Sequence, residues 1–530
     1  MKDCLRFLAD QFRSHAALDA DVLREKLPAL AAGWSRADGV APSLYRRSGQ
    51  TDGETLFFLV RQGAERRLSA VGPAAELAAF EGERVELGGG RSVGVFPLSA
   101  GNAAALRARF AWLSPRVYDL APTFGCGDRL GLATPGHLRA ARACGVNVLV
   151  AQQSIREMAR TGRTAQDVMD DAMWGVFQEG YTEGFGADAD HLKTFQDIET
   201  TAAAGFTMFT LDPSEYVDRT ADAASEAVLD AKLAESDSAE LPVPTADLMA
   251  RYAERSFAVE GLDRLEPTAI EIKRAIVKYG RAIAHTERLA RHVAHVLGSR
   301  PYDLEMSVDE TDNPTTLVEH FFVGSELKRR GIAVQSLALR FVGEFQKGVD
   351  YVGDLSVFEK SFKDLFAVAR HCGPYKMSIH SGSDKFSIFP IIGRIAGDLV
   401  HEKTAGTSYL EALRVAARVD AKLFREIWAF ALERFPTDRA TYHVVEKLTT
   451  LPDLKAFPDA KLESLFDNND GRQLLHVTFG SVLNEKDASG ALRFKDRFFK
   501  MLKEHEDTYA QVLEAHFVRH MESLGMARKR

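Results

Sequence analysis

Thiols are scarce: 530 residues hold four cysteines, Cys4, Cys126, Cys144 and Cys372, with no C-x-x-C spacing among them. That pattern excludes a thiolate zinc site and a disulfide framework. Long apolar runs are missing too, and none approaches the length of a membrane span. An excess of positive charge is also lacking: the net charge is -8 and the pI about 6.1, which argues against a nucleic-acid partner. The opening Met1-Lys-Asp-Cys-Leu-Arg6 mixes charges where a secretory signal needs a hydrophobic stretch. The short basic end Ala527-Arg-Lys-Arg530 reads as a solvated tail. A reducing cytoplasm is the expected setting, with neither a membrane nor a nucleic acid as partner. What is present is an ordinary core-forming composition, 45% hydrophobic and 27% charged. The chain is long enough for two or three domains.

Residues 1–115 read as a small α/β domain, with strand-like runs at Thr55-Leu-Phe-Phe-Leu-Val60 and Val93-Gly-Val-Phe96 and a short helix from Pro73. From Pro122 the texture changes to eight short apolar or small-residue runs, each ending in polar residues. They begin at Thr123, Val146, Gly184, Phe206, Leu304, Ser336, Tyr375 and Leu399. Helix signals fill the gaps: Pro135 at a helix start, Thr164 before residues 167–179, and capping boxes at Thr268/Glu271 and Ser408/Glu411. Strand–helix alternation implies parallel strands. Eight repeats predict an α/β fold, a TIM-like (β/α)8 barrel over residues 116–410, with a helical insertion at about 213–300 that includes the acidic stretch 221–240. A helical extension, 411–530, follows and is expected to pack on the barrel, and these helical additions favour a homo-oligomer. In such a barrel the carboxyl ends of the strands build the site.

Candidate chemistry gathers at those ends. Gly184-Phe-Gly-Ala-Asp-Ala-Asp-His-Leu-Lys193 packs two carboxylates, an imidazole and an ammonium between glycines. Such a set is hard to bury unless it is paired or holds a metal. His191, His380 and His401 fall on or after the third, seventh and eighth strands, and converging imidazoles are a common way to hold a divalent ion. Asp212, Glu310 and His476 are the substitutes should one imidazole point elsewhere. Asp190 and Glu310 are the acid/base candidates, whereas Asp188 and Asp309 read as loop caps. Arg340, Lys385 and Lys403 form a basic set suited to an anionic substrate or to charge balance. Gln152, Gln153 and Ser154 are placed either to bind sugar hydroxyls or to end a strand. His380-Ser-Gly-Ser-Asp-Lys-Phe386 has the alternative reading of a phosphate-gripping loop. Gly125-Cys-Gly-Asp-Arg-Leu-Gly131 has the wrong spacing for a dinucleotide fingerprint and reads as a tight turn, with Asp128 and Arg129 paired.

Gly162-Arg-Thr164, Trp174-Gly-Val-Phe-Gln-Glu-Gly180, the Gly184–His191 run, Ser307-Val-Asp-Glu-Thr311, Leu339-Arg-Phe341, His380-Ser-Gly-Ser-Asp-Lys-Phe386, Lys403-Thr-Ala-Gly-Thr-Ser-Tyr-Leu410 and His476-Val-Thr478 together resemble the tagaturonate epimerase family. The resemblance runs from about residue 120 to the C-terminus. It implies interconversion of D-tagaturonate and D-fructuronate, small ketouronate substrates, with a divalent metal whose identity (zinc, manganese, nickel or iron) stays open. It places the acid/base pair on Asp190 and Glu310 and the metal on His191, His380 and His401; Gln153, Arg340, Lys385 and Lys403 remain the substrate-binding candidates read from the residues themselves. A ketohexose epimerase, an aldolase, a sugar isomerase and a non-catalytic sugar-binding protein remain the alternative readings.

Overall fold

The computed structural model describes residues 2–34, 41–236, 241 and 243–527. Residues 237–240 of the acidic stretch and the last three residues of the basic tail lie outside these. Near the N-terminus, β1 (Ser43–Leu44), β2 (Gln50–Asp52), β3 (Thr55–Gln62), β4 (Glu65–Pro73), β5 (Glu83–Gly88) and β6 (Arg91–Phe96) form an antiparallel sheet. Its order is β1-β3-β4-β6-β5, with β2 on β3. Strand alternation explains why β3 is apolar at every position from Leu56 to Val60. Leu56, Phe58 and Val60 pack under the helices Lys2–Phe12 and Ala20–Ala32, while Phe57 and Leu59 face the larger core that continues into the barrel. Both faces are covered, so neither can be polar.

The eight expected runs form eight strands. They are β7 (Thr123–Cys126), β8 (Asn147–Ser154), β9 (Gly186–Leu192), β10 (Met208–Leu211), β11 (Asp303–Ser307), β12 (Ser336–Ala338), β13 (Lys376–Ile379) and β14 (Val400–Thr404). Every neighbouring pair is parallel, and the sheet closes into a barrel through β9–β10 and β14–β7. Parallel strands buried on both faces must be apolar or self-satisfied at nearly every position, which is why short runs carried the signal.

Between β10 and β11 the chain forms Glu226–Ser236, Thr245–Tyr252 and the long helix Ala269–Leu297, capped by the Thr268/Glu271 box. That long helix belongs to the outer ring, packed between Phe195–Ala203 and Leu317–Arg329. Its buried Lys278 is held by Asp222 (2.8 Å) and Glu319 (3.1 Å). The Thr164 cap is present; the Ser408/Glu411 box is not. Helix Thr407–Val419 starts from Gly406, the Ser408 hydroxyl donates to the Gly127 carbonyl, and Glu411 turns to Arg414.

After the barrel, helices cover one side of it. The C-terminal helix Glu506–Ser523 lies along Thr134–Cys144. The approach is so close that a Cβ on Gly136 would sit 2.6 Å from Leu513 Cβ. Glu506 on the same helix accepts from Arg61 (2.7 Å) and Tyr45 (2.9 Å) of the N-terminal sheet. No helix among the described residues is long and apolar enough to cross a membrane.

Candidate active site

The carboxyl ends of the barrel strands open into a cavity of about 530 Å³. A larger cleft of about 680 Å³ lies elsewhere, between the N-terminal sheet and the C-terminal helix. Its Arg47 and Arg139 are paired with Glu179 and its Arg61 with Glu506.

Strand β9 sets the floor of the mouth. Alternation turns Asp188 and Asp190 inward; by the same rule His191 would face away. A bulge intervenes: Phe209 pairs with Ala189, but Leu211 pairs with Leu192, and His191 has a φ of 55°. A bulge re-aims one side chain, and both Asp190 and His191 line the cavity. A non-glycine residue held at positive φ is strained by on the order of 1–3 kcal/mol, a strain usually found at functional sites.

Two imidazoles meet here, His191 and His380, with ring centroids 5.1 Å apart. Each gives one nitrogen to a buried carboxylate: His191 Nδ1 lies 3.1 Å from Asp212 and His380 Nε2 lies 2.7 Å from Glu305. With those N–H groups committed, the nitrogens left over are His191 Nε2, 3.8 Å from Asp190, and the buried His380 Nδ1; each offers a lone pair to an ion once its proton leaves. Asp309 comes within 3.3 Å of His380 Nδ1 and is steadied by the Ser307 hydroxyl at 2.6 Å. One ligand atom from each of His191, Asp309 and His380 lies within 4.8 Å of the others. Imidazoles that bind metals usually give their other nitrogen to a carboxylate, so the donor set suits a divalent cation.

Below them Lys403 is clamped by Asp188 (2.7 Å), Asp190 (2.9 Å) and Glu305 (2.9 Å). Burial opposes charge on all of them, yet the three carboxylates hold Lys403 well above the ordinary lysine range. In return, against burial, Lys403 together with His191 and His380 pulls Asp190 below the usual carboxylate range. Asp188 pays for burial and for two acidic neighbours, and rises to about 6 despite Lys403. Burial also pushes the imidazoles down, but the carboxylates win: Asp190, Asp212 and Asp309 raise His191 to about 10, and Asp309 and Glu305 raise His380 to about 9.

The other expected site residues divide. Glu310 and Arg340 line the mouth, with Glu310 3.8 Å from Arg156 at the rim. His401 does not join the imidazoles. It lies on the same face of β14 as Lys403 but deeper, in register with Thr123, and its Nδ1 bonds Thr123 Oγ1 at 2.8 Å. Burial drives it down to about 3, so it stays neutral; Asp309 takes the third place instead. Lys385 is turned away from the mouth and donates to the carbonyls of Gln346 (2.9 Å), Ser383 (3.2 Å) and Val349. Gln153 has the wrong phase: Gln152 and Ser154 line the cavity and Gln153 does not. Arg129 pairs with Glu157 (2.8 Å), not with Asp128, whose carboxylate caps the backbone N–H groups of Leu130, Gly131 and Ala133. His476 lines the mouth from its helix, beside Tyr442 and His443.

Sequence reasoning missed Asp309, read as a cap, and Lys347. The signal for Asp309 was present in Ser307-Val-Asp-Glu310; for Lys347, in the connection after β12, there was none.

A family profile described as tagaturonate epimerase matches residues 45–524. The chain is 41% identical over 483 residues to the tagaturonate/fructuronate epimerase of Thermotoga maritima, covering 91% of this chain and 96% of that one. Its structure is similar to the glycerol-complexed fructuronate-tagaturonate epimerase UxaE of Cohnella laeviribosi, with a TM-score of 0.87 at 37% identity, over 95% of this chain and 99% of that one. The native form of that enzyme gives 0.87 at 38% identity, over 96% and 99%. With that span of agreement across N-terminal sheet, barrel and C-terminal helices, the chain belongs to the tagaturonate epimerase family.

Proposed function

We propose that this protein interconverts D-tagaturonate and D-fructuronate by inverting carbon 4, with a divalent metal held by His191, Asp309 and His380. The observation that carries the reading is the pair of carboxylate-backed imidazoles facing Asp309 beside an ionised Asp190. The surrounding acids stabilise two imidazolium charges there, and one divalent ion supplies the same charge through the same nitrogens. Such an ion supplies Lewis acidity next to the substrate ketone.

Carbon 4 is adjacent to neither the ketone (carbon 2) nor the carboxylate (carbon 6), so its hydrogen is not acidified. Cleavage between carbons 3 and 4 avoids that problem. Asp190, kept ionised by Lys403, takes the proton of the carbon-4 hydroxyl. The carbon 3–carbon 4 bond breaks, its electrons pass to the three-carbon ketone fragment as an enediolate, and carbon 4 becomes an aldehyde. The aldehyde turns about the carbon 4–carbon 5 bond, the enediolate adds to its other face, and Glu310 returns a proton to the new hydroxyl. Both acids end the cycle restored by exchange with each other or with water.

The test uses D-tagaturonate deuterated at carbon 4. D-Fructuronate that keeps its deuterium, formed by the purified protein and abolished by chelation until metal is returned, is the expected result. Deuterium washed into solvent would overturn the cleavage path, and activity untouched by chelation would overturn the metal.

A further inference from the structure

We infer that Lys347 grips the carboxylate of the substrate and sets the preference for an acidic over a neutral ketose; the inference rests on the ketouronate reading above. It starts from the cations lining the mouth, which are Arg129, Arg156, Arg219, Arg340, Lys347 and Lys403. Four have a carboxylate close by: Arg129 has Glu157 at 2.8 Å, Arg156 has Glu310 at 3.8 Å, Arg219 has Asp312 at 3.7 Å, and Lys403 has three. Lys347 and Arg340 have none within ion-pair distance among the described residues.

Arg340 is held through its backbone by Thr315, but of these two Lys347 is the one whose charged group is itself held. Its Nζ donates to the hydroxyl of Ser381, the residue after His380. Its backbone N–H donates to the His443 carbonyl at 3.1 Å. On one side the Gln346 carbonyl is bound by Lys385 (2.9 Å); on the other the Gly348 carbonyl is bound by Arg472 (2.5 Å). Gly348 has a φ of 73° and faces His476, whose Nδ1 would lie 3.3 Å from a Cβ at that position. The loop is therefore stapled on both flanks, and the half-buried ammonium at its tip is pre-positioned without an anion. A partly desolvated charge is costly unless paired, and here the substrate brings the partner.

The position also suits the chemistry. Ser381 follows His380, so the ammonium sits close to the imidazoles that face the ketone end. A ketouronate spanning that gap places its carbon-6 carboxylate on Lys347. Epimerisation by cleavage requires the carboxylate-bearing aldehyde to turn over without leaving. A fixed carboxylate makes the carbon 4–carbon 5 bond a pivot and retains the fragment.

The experiment measures binding of D-fructuronate and D-fructose by calorimetry, and steady-state kinetics with D-fructuronate, for wild type, Lys347→Met and Lys347→Arg. For Lys347→Met the Kd and KM for D-fructuronate rise by about tenfold or more, the loss expected for a charge-assisted hydrogen bond. The Kd for D-fructose shifts by less than about twofold, metal content is unchanged, and Lys347→Arg recovers most of the fructuronate affinity. Equal weakening of both sugars, or a lower kcat with fructuronate KM unchanged, would overturn the inference. A wild type that prefers fructuronate to fructose in binding but does not epimerise it would sink the epimerase reading and leave Lys347 standing. A wild type without that preference would overturn Lys347 itself.

Discussion

His191, Asp309 and His380 at the barrel mouth and Asp384, His516 and His520 behind it are built from the same two residue types, and in each group the nearest ligand atoms fall within 4.8 Å of one another. Their hydrogen bonds differ. At the mouth each imidazole spends one nitrogen on a buried carboxylate and holds the other toward a second acid lining the cavity, Asp190 at 3.8 Å for His191 and Asp309 at 3.3 Å for His380. In the rear group His520 Nε2 accepts the Asp384 backbone N–H at 3.0 Å, and its Nδ1 donates to the His516 carbonyl at 3.0 Å. One oxygen of Asp384 is taken by Arg472, and the other lies 2.8 Å from His516 Nε2. Both nitrogens of His520 and both oxygens of Asp384 are thereby engaged, and His516 Nδ1 faces Glu411 at 3.6 Å. How the ring nitrogens are committed and whether they border the cavity, more than which residues are present, separates a binding site from an internal latch. The latch has a use: Asp384 lies four residues beyond His380 and has a φ of 63°, so Arg472 and the C-terminal helix hold the loop that follows that imidazole.

The sharpest way to break this comparison is to remove one histidine from each group. His380→Ala should lose bound metal and at least roughly 100-fold in kcat/KM, whereas His516→Ala should keep a full equivalent by elemental analysis. Metal lost from His516→Ala would reverse the assignment. Next in size is Arg472→Met, which strands a buried carboxylate. Urea unfolding should show about 3–5 kcal/mol less stability with metal content intact, and a change under about 1 kcal/mol would contradict the latch.

The smallest effect is a pH dependence. His516 faces Asp384, Glu411, Arg472 and His520. Burial lowers its affinity for a proton, but Glu411 and Asp384 outweigh that and raise its pKa. Its folded value therefore lies above the unfolded value of about 6.5. Its stabilising contribution is full below that pH and is lost as pH rises through the folded value. Asp384, held far below the carboxylate range against burial by Arg472 and His516, stays ionised throughout that window, and His520 stays neutral, pushed down to about 3 by burial. The urea midpoint of His516→Gln should fall further behind wild type at pH 6 than at pH 9; a deficit growing with pH would refute the sign.

The barrel was legible because parallel strands covered on both sides leave a short apolar run with a polar end, and all eight runs did so. Depth along a strand was not legible. His401 and Lys403 share a face of β14, and two residues of separation put one at the mouth and the other a layer down. Phase failed at Gln153, one residue out from Gln152 and Ser154. Alternation would also have turned His191 outward; the bulge that corrects it has no sequence signature. Past the end of β11 the chain is no longer a strand, so nothing local ranked Asp309 above Glu310. Lys347 depends on three distant staples, His443, Arg472 and Lys385, none of which is near it in sequence.

The mouth takes one wall from Tyr442, His443 and His476, and its His380 loop is latched by His516 and His520. These residues all lie beyond the last barrel strand. Without the helix Glu506–Ser523 the barrel strands are all present, yet Asp384 lacks its histidines. A chain cut short before residue 506 would therefore carry every proposed metal ligand while leaving the loop behind His380 unfastened.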